Sequence, residues 1–173
     1  MNNKPSSSHF MEEQRLAALY SYDVLGEGLS SELDNLVKLA AQIATTKKAY
    51  ISFVDKDHVV FKAAYGLLTQ GRVFNREGSI YQHTMYGKEY IVRDIRVHPD
   101  FEGSPLLNSQ DHLVFYASFP LVDSDGFPLG CLCVIDDCVK DLTLQQIEAM
   151  HTLSLQIVTH LSLRRKNLQL EVQ

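Results

Sequence analysis

The chain has 173 residues, 45% of them hydrophobic and 21% charged, with a formal net charge of −5 and a pI near 5.8. That length suits one domain with a substantial core, and the composition is globular, without the signature of disorder. With 16 Lys and Arg against 21 Asp and Glu, no basic excess exists to neutralise phosphates, which argues against a nucleic-acid binder. No apolar run approaches the roughly 20 residues of a membrane span, and the first nine residues lack a signal-peptide core. The cysteines, at 131, 133 and 138, are odd in number and clustered, so no disulfide framework is expected and a reducing cytoplasm is the expected location.

Residues 1–10 are polar and expected to form a mobile tail. A short helix is predicted from Phe10 to about Leu19, with Glu12 and Glu13 in its first turn. After a connection with two glycines, an amphipathic helix runs from about Glu32 to Thr45. Its apolar residues Leu33, Leu36, Val37, Ala40, Ile43 and Ala44 recur at helical spacing, behind the N-cap candidates Ser30 and Ser31. Ala49–Val54 and Val59–Tyr65 read as strands at hairpin spacing, ended by Gly66. Leu67 to Ser79 has no periodic pattern and reads as a polar loop. Ser79 is placed to cap a short helix, Ile80 to Met85. Tyr90–Ile95 reads as a strand, and Arg96 to Asp111 as a long irregular loop of the kind that is usually functional or mobile.

The central stretch is Leu113 to Asp136, two long arms joined at Asp123-Ser124-Asp125-Gly126, where Gly126 can supply a positive φ. Both arms carry apolar side chains on both faces. One face is expected to be covered by helices, and the other, bearing Tyr116 and Ser118, to look into a cavity. Thr143 and Gln146 form a capping-box pattern at the start of the last helix. Ile147, Ser154, Leu161 and Leu168 lie in one seven-residue row, and Met150 and Ile157 in another. A helix of roughly 45 Å would outreach a domain whose radius of gyration is about 16 Å, so residues 166–173 are expected to project. Met150, Ser154, Ile157, Leu161 and Leu168 are expected to form a homodimer seam.

Several separated motifs, in this order, resemble the bacterial signalling branch of the GAF domains. They are Glu13-Gln14-Arg15-Leu16 with Leu19 and Leu25, Ile51-Ser52-Phe53-Val54-Asp55, Phe61-Lys62-Ala63 with Gly66, and Val92-Arg93-Asp94. His98-Pro99-Asp100-Phe101, Phe115 through Leu121, and Gly130 through Asp136 complete the set. The resemblance covers residues 11–165 and implies an α+β fold: an antiparallel sheet with the terminal helices on one face and a loop-covered pocket on the other. It also implies a non-catalytic, small-molecule-sensing regulatory domain, dimeric through its terminal helices and serving a histidine kinase or cyclase output domain. The fold alone names no ligand or cofactor.

On that resemblance the ligand-lining candidates are Tyr81, His83, Asp94, Phe101, Tyr116 and Ser118. The alternative is a scaffold whose cavity is filled by its own side chains, with Tyr81, Phe101 and Tyr116 large enough to do so. Free methionine sulfoxide reductases of the GAF type use cysteines in the pocket loops, and the loops from Leu67 to Tyr86 and Arg96 to Asp111 have none. Bilin-binding members attach pigment through a cysteine just before a histidine, where this chain has Tyr81-Gln82-His83. The residue set of cyclic-nucleotide-binding members is not recognisable. Cys131 and Cys133 share a strand face without the further ligands of a zinc site, so no metal site is expected. Asp136 and Asp137 read as a strand-ending turn, and Arg164, Arg165 and Lys166 as a solvated helix face.

Overall fold

The computed structural model describes residues 7–67, 73–77, 79–104, 107 and 110–173. Its elements are α1 (Ser7–Ser21), α2 (Ser30–Ala44), β1 (Lys48–Val54), β2 (His58–Tyr65), β3 (Val73–Asn75), α3 (Tyr81–Met85), β4 (Tyr90–Val92), β5 (Phe115–Val122), β6 (Pro128–Asp136) and α4 (Leu144–Glu171). Among the described residues the strands form one antiparallel sheet in the order β3-β2-β1-β6-β5-β4. β6 is buried at every position, as a strand covered on both faces should be. The β5–β6 turn is fixed by Asp123, whose Oδ1 accepts from the backbone N–H of Asp125 at 3.0 Å and of Phe127 at 2.8 Å. Gly126 takes φ +87° there, so the predicted turn chemistry is the observed one.

The period-2 alternation of the strands divides the interior in two. On one face Ile51, Phe53, Phe115, Phe119, Leu132 and Val134 join α1, α2 and α4 in the larger core. On the other face Tyr50, Val54, Phe61, Tyr116, Cys131 and Cys133 pack under α3 and the segment around Ile95 and Phe101. The α+β arrangement, with terminal helices on one face and loops on the other, is therefore present.

Local differences from the predicted elements have plain causes. Leu29, which has no capping oxygen, holds the N-cap position of α2, so the helix begins one residue earlier than a serine cap would place it. Burial of the Leu29 side chain sets this start. The helix ends at Thr45 in the left-handed region (φ 55°), and Thr46 N–H closes the last turn on the Ala41 carbonyl at 2.9 Å. Ile80, likewise without a side-chain cap, precedes α3. Val73–Asn75, inside the predicted loop, pairs with β2 as an edge strand. The predicted strand Tyr90–Ile95 stops at Val92, because Asp94 turns the chain by accepting from Arg96 N–H. Residues 7–10 of the predicted tail are instead the start of α1, so Glu12 and Glu13 fall beyond its first turn; residues 1–6 of that tail, and 68–72 and 78 of the predicted loop, lie outside the described residues.

α4 requires the main correction. Its start is as predicted: Gln146 N–H donates to Thr143 Oγ1 at 3.1 Å and Thr143 N–H to Gln146 Oε1 at 2.9 Å. The Gln146 side chain also donates to the Ile43 carbonyl at 3.0 Å, pinning α4 to the end of α2. Met150, Ser154, Ile157 and Leu161, expected as a seam between two copies, are buried inside this chain's own core against α2 and β5. Seven-residue spacing describes any helix that keeps one stripe against a sheet, so it did not separate an internal from an external partner. Of the predicted seam only Leu168 is partly exposed. The outward face carries Leu144, Leu155, Leu163 and Leu170 instead.

Candidate functional site

α3 divides the candidate residues into three groups. Beneath it, the sheet face is filled. The Tyr50 and Tyr81 hydroxyls are 3.1 Å apart, and the Tyr116 hydroxyl lies 3.7 Å from Cys133 Sγ. Thr84 and Ser118 are hydrogen-bonded to each other. Tyr50 stacks on Phe61 with ring centroids 4.2 Å apart, and Phe101 meets the edge of Tyr116 at 5.5 Å. Tyr81, Phe101, Tyr116 and Ser118 thus sit in one buried cluster. Burial pushes the Tyr50, Tyr81 and Tyr116 phenols well above their ordinary pKa, so they stay neutral hydrogen-bonding groups.

On one flank of α3 lies a cleft of about 630 Å³. Its polar wall comes from the β1–β2 turn (Lys56, Asp57), the first residue of β2 (His58) and the segment after β3 (Arg76, Glu77), and Tyr81 and Met85 of α3 give it an apolar floor. Arg76 connects this cleft to α1. Its Nη1 donates to the Asp55 carbonyl at 3.2 Å and the Lys56 carbonyl at 3.3 Å, and pairs closely with Glu12. Glu12 also accepts two hydrogen bonds from Arg15, at 2.9 Å each. Arg15 is buried, and its Nη1 donates to the Pro128 carbonyl at 3.2 Å. Partial burial raises the Glu12 pKa, but the hydrogen bonds and charges of the two arginines outweigh it and hold the carboxyl at about 2. A second tie runs from Tyr20 OH, which donates to Asp55 Oδ1 at 2.6 Å. The far end of α1 meets α4: Arg165 stacks on the Tyr22 ring at 4.0 Å and donates to Ser21 Oγ at 2.9 Å, while Arg164 donates to the Asp23 carbonyl at 3.3 Å. Arg164 and Arg165 therefore clamp α1, a correction to their reading as a solvated face.

On the other flank, His83 stacks on Tyr90 with centroids 5.2 Å apart. Tyr90 OH donates to Asp100, and one Asp100 oxygen lies 3.8 Å from both His83 Nε2 and His98 Nδ1. Asp100 N–H donates to His98 Nδ1 at 3.3 Å, closing the turn. Asp94 belongs to none of these groups. It caps its own turn and holds Arg96 by two hydrogen bonds, at 2.9 and 2.8 Å, as a loop-fixing residue.

No protein-family model matches the chain. In sequence it is 31% identical over 126 residues to a cyclic di-GMP phosphodiesterase of Pseudomonas aeruginosa, a stretch that is 72% of this chain and 21% of that protein. The chain thus spans about a fifth of that relative's length. In structure it is similar to the GAF domain of a phosphoenolpyruvate-protein phosphotransferase from Coxiella burnetii (TM-score 0.69, 15% identity, covering 94% of this chain and 98% of that one). It is also similar to the GAF domain of Thermosynechococcus elongatus PixJ in its blue-light-absorbing form (TM-score 0.63, 12% identity, 99% of each chain). A third likeness is to a domain assigned to a two-component sensor histidine kinase of Sinorhizobium meliloti 1021 (TM-score 0.65, 16% identity, 86% of this chain and all of that one). The chain has the GAF fold.

Thiol chemistry has little access to this GAF fold. Cys131 and Cys133 are fully buried. Burial, with the neighbouring Cys133, raises the Cys131 thiol, and burial pushes Cys133 up to about 12. Cys138 is exposed, but lies by the end of α2 rather than at the α3 cleft. Its sulfur falls within 4.8 Å of carboxylate oxygens of Asp136 and Asp137. Lys47 already pairs with Asp137 at 2.7 Å and Lys140 with Asp136 at 3.7 Å, so these acids have internal counter-ions. Among the described residues no helix of the GAF fold is long and apolar enough to cross a membrane.

Sequence reasoning missed Glu12, Lys56, His58 and Arg76 as a group. Arg76 lies in a stretch without periodicity. Arg15 stood inside a motif of the resemblance, and it lies one turn before buried Leu19 on the inward face of α1, where a charged side chain gives no apolar signal of burial.

Proposed function

We propose that this GAF fold serves as a non-catalytic sensory domain of a signalling protein, in which a small molecule held in the cleft beside α3 alters how α1 and α4 pack. The carrying observation is the continuous set of contacts from Arg76 in the cleft wall, through Glu12 and Arg15, along α1 to the Arg164–Arg165 clamp on α4. A ligand that prefers one arrangement of the cleft wall shifts the population of that arrangement, and the shift is felt at α4 by linkage. The likeness to part of a cyclic di-GMP phosphodiesterase supports a signalling context, and a kinase, cyclase or cyclic-dinucleotide enzyme is the class of output such a domain would serve. Where two copies associate through α4, the outward row of Leu144, Leu155, Leu163 and Leu170 is the surface for it.

The second reading, a scaffold without ligand, draws its support from Tyr81, Phe101 and Tyr116 filling the sheet face. Native mass spectrometry of gently purified protein separates the two. A retained small adduct supports sensing, and consistently clean apo protein that no member of a mixed metabolite library stabilises against heat supports the scaffold. The sulfoxide reductase reading has least support, because two of its three thiols are sealed. Sulfoxide reduction abolished by mutation of Cys138 would revive it.

A further inference from the structure

We propose that the cleft takes a small molecule bearing a single carboxylate or phosphate group, bound by the free edge of the Arg76 guanidinium and coupled negatively to Glu12. This deepens the sensor reading and rests on it. A guanidinium has five N–H donors in a planar fork. The Glu12 carboxylate and the Asp55 and Lys56 carbonyls all draw on Nη1. Nε and Nη2 make no hydrogen bond to a described residue, and this edge of an arginine matches two oxygens of a carboxylate or phosphate. The side chains of Lys56 and His58, on the same wall, likewise make no hydrogen bond or ion pair with a described residue. Asp57 and Glu77 share that wall and would repel a polyanion, so the fit is to one acid group with a neutral or cationic remainder. Tyr81 and Met85 offer apolar surface to that remainder.

An acid on the free edge places two anions on one guanidinium, and each weakens the other's hold. Glu12 keeps its two bonds from Arg15, which is buried and fixed to Pro128. What loosens is the contact of α1 with the cleft wall, leaving Tyr20 and Asp55 to hold it. Binding is thereby converted into release of α1 at one point.

The test is nuclear magnetic resonance of the Arg76 Nε–H and the Met85 methyl group, titrated with acetate and with inorganic phosphate against sodium chloride at equal ionic strength. Saturable shifts of both signals with either acid are expected in the wild type, and in Arg76→Gln, which has no guanidinium Nε–H, the Met85 shift is expected to be lost. In Glu12→Gln the affinity is expected to rise at least three-fold. Acids acting no differently from chloride, or an unchanged affinity in Glu12→Gln, overturn the proposal. Should Glu12→Gln fail to fold, as judged by circular dichroism, the wild-type titration decides alone. A neutral or cationic library of metabolite-sized compounds is run in parallel. If these move Met85 and the acids do not, the sensor reading stands and this inference falls; if nothing moves Met85, both fall.

Discussion

The Ser52 carbonyl oxygen of β1 lies 2.0 Å from the point where a Cβ on Gly130 of β6 would fall. The two strands at the middle of the sheet can approach only because that atom is missing. Gly130→Ala must push β6 off β1 where both strands are buried, and a loss of about 3 kcal/mol or more is expected, at the upper end for overpacking. Urea unfolding followed by circular dichroism reads it directly. A midpoint equal to wild type would mean that the sheet centre has slack the structure does not show.

Acid should act on Glu12 in a defined window. Its folded pKa, about 2, lies below the ordinary 4.5, so the stability it contributes is complete above 4.5 and disappears as pH falls towards 2. Allowing for solvent screening of a partly exposed group, the effect is roughly 1 kcal/mol. Thermal melts of wild type and Glu12→Gln between pH 5 and 2.5 should converge as pH falls, whereas parallel curves would show that the Arg15 and Arg76 pairs carry no linkage.

The three thiols should divide one to two. With an aromatic disulfide reagent at neutral pH, Cys138 is expected to react at once, and Cys131 and Cys133 only as the protein opens. Cys138→Ser should abolish the fast phase. A fast phase surviving that substitution would place Cys131 or Cys133 in contact with solvent.

Two leucines two residues, about half a turn, apart on α4 should behave oppositely. Leu161 is fully buried and Leu163 largely exposed. Leu161→Lys puts a charge in the core and should cost about 3 kcal/mol or more, while Leu163→Lys should stay within about 0.5 kcal/mol of wild type. Loss of stability in the second variant, or none in the first, measured by chemical denaturation, would mean that the helix is rotated from its described position.

What the sequence made legible follows from how local each signal is. The Asp123 to Gly126 turn, the alternating strands and the Thr143–Gln146 cap depend on residues a few positions apart, and the structure has them where the pattern put them. The seam residues Met150, Ile157 and Leu161 show the opposite case. An apolar stripe states that something covers it, and whether that is α2 of the same chain or another chain is a tertiary fact. The candidate residues Tyr81, His83, Phe101 and Tyr116 were within reach through resemblance, but their separation into a filled interior and a surface cluster depends on side-chain volumes meeting across four elements. Arg76 and Glu12 are 64 positions apart, and no periodicity links them.

The anchoring of α4 also fixes an angle. From Thr143 to Arg165 the helix is bonded or packed to α1, α2 and β5, so its rotation about its own axis is set by the domain. Each residue of an α-helix turns the next by 100° and advances it by 1.5 Å. One residue inserted after Arg165 would swing Leu168 and Leu170 through more than a quarter turn while leaving the domain untouched, and seven would nearly restore their heading. The clamp therefore acts as the keyway of a shaft: it is at Arg165 that the domain stops dictating azimuth and the helix begins to carry it.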